Sequence, residues 1–176
     1  KAPGGGSVAA YVGALGVSLG TMVANISSHK RKWDERWEEF SVVAEKGQEI
    51  KDDLMRYVDE DTKAFEGIIS AFKMPKSTEE EKELRKQAIE DATKHATQVP
   101  FEVMRTAFRS FDVLRSMAEK GLPASVTDAG VGALCARAAI HGAYYNVKIN
   151  AKELNDRDFA EEILDDAREL IERTDR

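Results

Sequence analysis

From Ser7 to Ser28 the chain carries no formal charge, although 33% of its residues overall are charged. A run of that length either crosses a bilayer or forms a helix covered on most of its sides. Its content favours the buried helix. Ala9, Gly13, Gly16 and Gly20 recur at three- to four-residue spacing, and Asn25 sits near its end. Small residues on one face let another backbone come close. The offset for the glycines, each up to about 1 kcal/mol poorer than alanine in a helix, is then tight packing or access for a flat ligand. A second segment, with Ala129, Gly132, Ala133, Ala136, Ala139, Gly142 and Ala143, repeats the pattern.

The rest of the chain follows the same period. Apolar residues recur mostly at three and four, and alternating β-branched runs are nearly absent, which predicts an all-α fold. The first helix is expected from Ser7, as its cap, to Ser28, with a basic link through Lys32. A second runs from about Asp34 to Phe72, with a break expected near Gly47, and stops at Met74-Pro75-Lys76. Ser77 or Thr78 caps a third, with Glu80 and Glu81 placed for a capping box. That helix reaches Lys120, and Pro100 should kink or split it. Gly121-Leu122-Pro123 is a stop. A fourth helix runs from Thr127 or Asp128 to about Asn150, and a fifth from Asn155 or Asp156 to about Thr174. Five helices with short links predict an up-and-down bundle in one domain, residues 1–176.

The net charge of -6 argues against nucleic-acid binding. Cys135 is the sole cysteine, so no disulfide forms within the chain. That suits a reducing, cytoplasmic setting, and no signal peptide is visible. His29, His95 and His141 lie on separate segments without a paired-ligand spacing, so no metal site is expected.

Four segments can carry chemistry. Gly4-Gly5-Gly6-Ser7 enters a helix and leaves bare N–H groups that suit a carboxylate or carbonyl oxygen, or else it is a flexible lead-in. In Val58-Asp59-Glu60-Asp61 the two aspartates lie about 200° apart on a helical wheel. Asp59 falls on the solvated side. Asp61 shares the apolar stripe of Leu54, Tyr57, Ala64, Phe65 and Ile68. A carboxylate there must be paired, hydrogen-bonded or protonated, and it is either a structural acid or a proton carrier. Asp128 opens the fourth helix, where it either favours the dipole or accepts hydrogen bonds from a flat amidine-like edge. Asn146 and Asn150 share a face one turn apart, with Asn25 as a possible third member, and serve a ligand or the helix register.

Taken in order, Pro3-Gly4-Gly5-Gly6-Ser7-Val8-Ala9-Ala10, Val58-Asp59-x-Asp61-x-x-Ala64-Phe65, Lys73-x-Pro75-Lys76 and Gly142-Ala143-Tyr144-x-Asn146-Val147-x-Ile149-Asn150 resemble the cyclodeaminase family. That family comprises the C-terminal domain of formiminotransferase-cyclodeaminase and stand-alone methenyltetrahydrofolate cyclohydrolases. The resemblance implies a dimeric all-α bundle acting on a tetrahydrofolate derivative without a metal. It implies Asp61 as the catalytic acid–base. Gly4, Gly5, Gly6, Ser7, Asn25, Phe65, Asp128, Asn146 and Asn150 are the expected substrate contacts. Lys30, Arg31, Lys32, Lys73 and Lys76 are the expected guides for a polyglutamate tail. Cyclohydrolase and cyclodeaminase share every one of these residues. The rivals of other classes are a non-catalytic helical dimerisation module and a membrane-inserting helical protein.

Overall fold

The structure, a computed structural model, describes residues 3–176. Five α-helices make up the described chain: α1 (Gly5–Ser28), α2 (Trp37–Phe72), α3 (Glu79–Lys120), α4 (Val126–Ala151) and α5 (Arg157–Asp175). Short 3-10 turns at Asp34–Arg36 and Pro123–Ser125 lead into α2 and α4. The all-α bundle expected from periodicity is what forms.

The boundaries have local causes. Thr78 and Glu81 close a reciprocal capping box on α3: the Glu81 N–H donates to Thr78 Oγ1 (3.1 Å), and the Thr78 N–H donates to Glu81 Oε2 (3.1 Å). Asp156 caps α5 by accepting the Phe159 N–H at 3.1 Å. Lys94 Nζ also donates to Asp156, at 2.6 Å. The Lys94 bond, reinforced by the Phe159 N–H, holds the Asp156 carboxyl below its ordinary range.

Two local expectations fail, and a third is narrowed. Ser7 does not cap α1: the helix starts at Gly5, and its N-cap, Gly4, is extended and supplies no side-chain bond. Gly47 does not break α2. A Cβ there would collide with Thr21 Oγ1, so the glycine is a seat for α1 rather than an interruption. Of the kink or split expected at Pro100, the split does not occur: α3 runs unbroken through it. The buried neighbours Val99, Val103 and Met104 hold that stretch in the core against the loss of one backbone bond.

α1 has neighbours on two sides. Gly13 meets Leu54 and Ala139, so α1 lies between α2 and α4. The pairs Ser7–Asp61 and Gly13–Leu54 set α1 antiparallel to α2. The pairs Gly5–Asn146 and Gly16–Gly132 set it antiparallel to α4. At the last pair the helices touch backbone to backbone: a Cβ on Gly16 would stand 2.8 Å from Gly132 O, and one on Gly132 would stand 2.6 Å from Gly16 O. The small residues here serve close packing. α1 is long and apolar enough to cross a membrane, yet 56% of its most apolar stretch is buried inside the bundle.

One face of the bundle is apolar and exposed. On α1 it runs along Val8, Tyr11, Leu15, Met22 and Ile26; on the adjacent α4, along Val131, Leu134, Tyr145 and Ile149. Each of these is 39–68% exposed.

Candidate active site

Where α1 begins, α4 ends and α2 passes, the helices enclose an open cavity of about 670 Å³, a size that suits a small organic ligand. Gly4 and Gly5 line it at the start of α1; Asp61, Thr62, Phe65, Ile68, Ile69 and Ser70 from α2, with Lys73 just past its end; Ala96 from α3; and Asn146 and Asn150 from α4. Four separated sequence motifs therefore meet in one place because of the antiparallel register.

Asp61 is half-buried, one turn before exposed Phe65 (55%). The Ser7 N–H donates to its Oδ2 at 2.8 Å, and Ser7 Oγ donates to the same oxygen at 2.7 Å. Asp61 thus caps α1 from a neighbouring helix, taking one of the N–H groups that a helix start leaves free. Among the described residues no donor is assigned to Oδ1, and Asp61 enters no ion pair. Asp59, two residues earlier, is exposed, as its place on the wheel required.

Gly6 shows why the residue just before Ser7 is glycine. A Cβ on Gly6 would overlap Asp61 Oδ1 and stand 2.7 Å from its Cγ. Only glycine lets the α1 backbone come down onto the carboxylate. Gly6 and Ser7 are buried behind that carboxylate and do not line the cavity. The expectation that all of Gly4 to Ser7 present N–H groups to a ligand is corrected: the Ser7 N–H is already bound.

Asn146 lies against Gly5, whose Cβ would be 3.3 Å from the amide nitrogen, and donates to Gly142 O at 3.0 Å. Asn150 donates to Ala96 O at 2.7 Å, tying α4 to α3. The Asn150 bond sets the register of α4 on α3, whereas the Asn146 bond stays within α4; both side chains line the cavity.

Several expected members lie elsewhere in the chain. Asn25 is exposed near the C-terminal end of α1, about 27 Å from Ser7 at helical rise. Asp128 is half-buried at the start of α4, about 27 Å from Asn146. Lys30, Arg31 and Lys32 follow α1 at that same far end, where the Lys30 ammonium lies 5.3 Å over the Trp33 ring. Of the basic residues, Lys73 lines the cavity and Lys76 is exposed three residues on. Sequence reading missed Thr62, whose hydroxyl lies 3.5 Å from Ser7 Oγ, together with Ile69 and Ser70. Thr62 and Ile69 lie seven residues apart, about two turns, so a wheel sets them on one side beside Phe65; Ser70 falls opposite Asp61 on the wheel and carried no such signal.

Among the described residues no group of three His, Cys, Asp or Glu side chains is spaced to hold a metal. The arrangement offers a carboxylate oxygen, amide edges and an aromatic side wall to one flat polar ligand.

A model of the formiminotransferase-cyclodeaminase family matches residues 1–169. The chain is 39% identical to a methenyltetrahydrofolate cyclohydrolase of Methylorubrum extorquens, over 96% of this chain and 81% of that protein. It is 37% identical to the formimidoyltransferase-cyclodeaminase of Gallus gallus over 97% of this chain, but spans only 32% of that protein. Its fold superposes on the crystal structure of formiminotetrahydrofolate cyclodeaminase from Thermotoga maritima with a TM-score of 0.81 at 30% identity, covering 98% of this chain and 83% of that one.

Proposed function

The chain belongs to the formiminotransferase-cyclodeaminase family, and from that premise we propose that it is a cytoplasmic methenyltetrahydrofolate cyclohydrolase whose proton carrier is Asp61. The observation that carries this reading is the Asp61 carboxylate. It is fixed through one oxygen by Ser7, has no cation beside it among the described residues, and stands at the wall of a ligand-sized cavity. The relative at 39% identity supports cyclohydrolase chemistry in particular.

In this reaction water adds to the methenyl carbon of 5,10-methenyltetrahydrofolate. One water proton is lost as the new C–O bond forms. The bond from that carbon to N5 then breaks, leaving 10-formyltetrahydrofolate, with one proton released overall. Oδ1 of Asp61 takes the water proton and returns one to N5. Oδ2 is held by Ser7, so the carboxylate does not rotate between the two steps. Phe65 and Ile69 flank the ring system, and the amides of Asn146 and Asn150 meet its polar edges. Lys73, with Lys76 beyond it, meets the glutamate tail. A positioned acid–base group is worth about 10²–10⁴-fold in rate. Asp61→Asn should therefore lower turnover at least about tenfold while the helical circular dichroism is kept. Unchanged turnover removes Asp61 from the mechanism.

The Thermotoga maritima structure supports a second reading, cyclodeaminase. There N10 of 5-formiminotetrahydrofolate attacks the formimino carbon and ammonia leaves. Loss of methenyl absorbance in one assay and ammonia release in the other separate the two.

The apolar face of α1 and α4 supports a homodimer. At about half exposure each, its large side chains present on the order of 800 Å², which is what one partner buries in an interface of standard size. A two-fold axis crossing both helices at mid-length carries Asn25, Asp128 and Lys30–Lys32 of one protomer toward the cleft of the other; an axis parallel to the helices does not. Leu134→Arg should give a monomer by sedimentation. Loss of activity in that monomer supports the crossing axis, and full activity refutes it.

A further inference from the structure

A second cavity, about 460 Å³, opens between the later part of α3, the first turns of α4 and the end of α5. It lies at the other end of the bundle: Leu114 at its base is 18 residues along α3 from Ala96 in the Asp61 cleft, about 27 Å at helical rise.

Its floor is aromatic. Phe108 and Phe111 meet edge to face, with ring centroids 5.7 Å apart. Its mouth is cationic. Arg115, Arg173 and Arg176 stand among the lining residues, and among the described residues no acidic one joins them, in a chain whose net charge is -6. The Arg173 guanidinium lies 4.7 Å over the Phe108 ring, so a positive charge is parked directly above the apolar floor. Two of these arginines form only loose ion pairs: Glu169 meets Arg173 and Glu172 meets Arg176, each at 3.8 Å. That distance is beyond hydrogen-bond reach, so guanidinium donors are left for a ligand.

A purely inorganic anion would leave the phenylalanines wet, and a neutral ring would leave the arginines unanswered. One ligand that carries both features satisfies both. We propose that this cavity binds a flat aromatic anion, with its ring on Phe111 and Leu114 and its carboxylate, sulfonate or phosphate between Arg115 and Arg173.

Gly130 supplies a clean test. It lines the cavity, and a Cβ built on it meets nothing within 4 Å. Gly130→Phe should therefore block the mouth without a clash inside the bundle. Titration calorimetry with naphthalene-2-sulfonate, and with naphthalene-2-methanol as the uncharged ring of like size, reads the site. The wild-type chain should bind the sulfonate at least about tenfold more tightly than the alcohol. Gly130→Phe should abolish binding of both. The double variant Arg115→Gln, Arg173→Gln should bring the sulfonate down to the alcohol's affinity. Asp61→Asn should change neither, which separates this site from the cleft. The proposal is overturned by absence of sulfonate binding at millimolar concentration, by equal affinity for both probes, or by binding that survives Gly130→Phe. If Gly130→Phe does not fold, an unchanged sulfonate affinity in the double arginine variant overturns it equally.

Discussion

Replacing Gly6 with alanine puts a methyl group where the Asp61 carboxylate now sits. The added carbon would overlap Oδ1 and lie 2.7 Å from Cγ, whereas carbon atoms in ordinary contact are about 3.5–4.0 Å apart. Relief needs a displacement of about 1 Å, taken either by the carboxylate or by the first turn of α1. Either way the two Ser7 bonds to Oδ2 lengthen or break. A misplacement of about 1 Å at a reacting group costs about 10²-fold in rate. Stability should change much less. Hydrogen bonds to a charged group contribute about 1.5–3 kcal/mol each. The cleft is open, however, so water replaces part of that, and alanine recovers up to about 1 kcal/mol of helix propensity. A melting temperature within about 5 °C of wild type is expected. Turnover is read from the loss of methenyl absorbance. Gly4→Ala is the matched control: its Cβ would stand 3.6 Å from Asp61 Oδ2, an ordinary contact, and turnover should stay within about threefold. More than half of wild-type turnover in Gly6→Ala would show that the overlap with Oδ1 does not disturb the acid, and an equal loss in Gly4→Ala would show that the effect does not come from that overlap.

Three stability outcomes follow from the packing. Ser110 Oγ is buried with no hydrogen-bond partner among the described residues, so Ser110→Ala should stabilise the fold by about 1 kcal/mol in urea unfolding; a loss of stability would show that the hydroxyl is satisfied. Gly16→Ala drives a methyl group to 2.8 Å from Gly132 O, a backbone atom that cannot swing aside, and should cost about 1–3 kcal/mol in the same measurement. The Asp156 carboxyl is held below its ordinary range by Lys94 and by the Phe159 N–H. Its stabilisation is complete above about pH 4 and is lost as pH falls through the lower folded-state value. The urea midpoint should therefore fall with acidification below about pH 4, and less steeply in Asp156→Asn, which keeps a capping oxygen; an identical slope would exclude the residue from the acid response.

The helices were legible because their stops are chemical. Pro75, the Thr78 capping box and Gly121-Leu122-Pro123 act within a few residues of themselves. Asp61 was legible too, since a wheel reports which side of a helix a residue takes. A wheel does not report which end of one helix meets which end of another. For that reason Asn25 was grouped with Asn146, although α1 and α4 run antiparallel and set the two at opposite ends of the bundle; Asp128 precedes Asn146 by five turns of α4 itself, a separation already legible in their numbers. Ser7 was misread as a cap by the same limitation: the group that satisfies the α1 N-terminus comes from a residue 54 positions away. Gly47 and Pro100 look like interruptions locally, and only the neighbours packed against them reverse that reading.

The start of α1 has no fastening of its own; it is moored to the same acid that faces the cleft. Whatever engages Asp61 must also tug on that mooring. Amide hydrogen exchange at Ser7 and Val8 should thus report occupancy of the cleft without any label on the ligand. An engineer who wishes to retire the acid, or to swap its chemistry, will loosen the frame by the same stroke, because scaffold and reactive group are one and the same side chain.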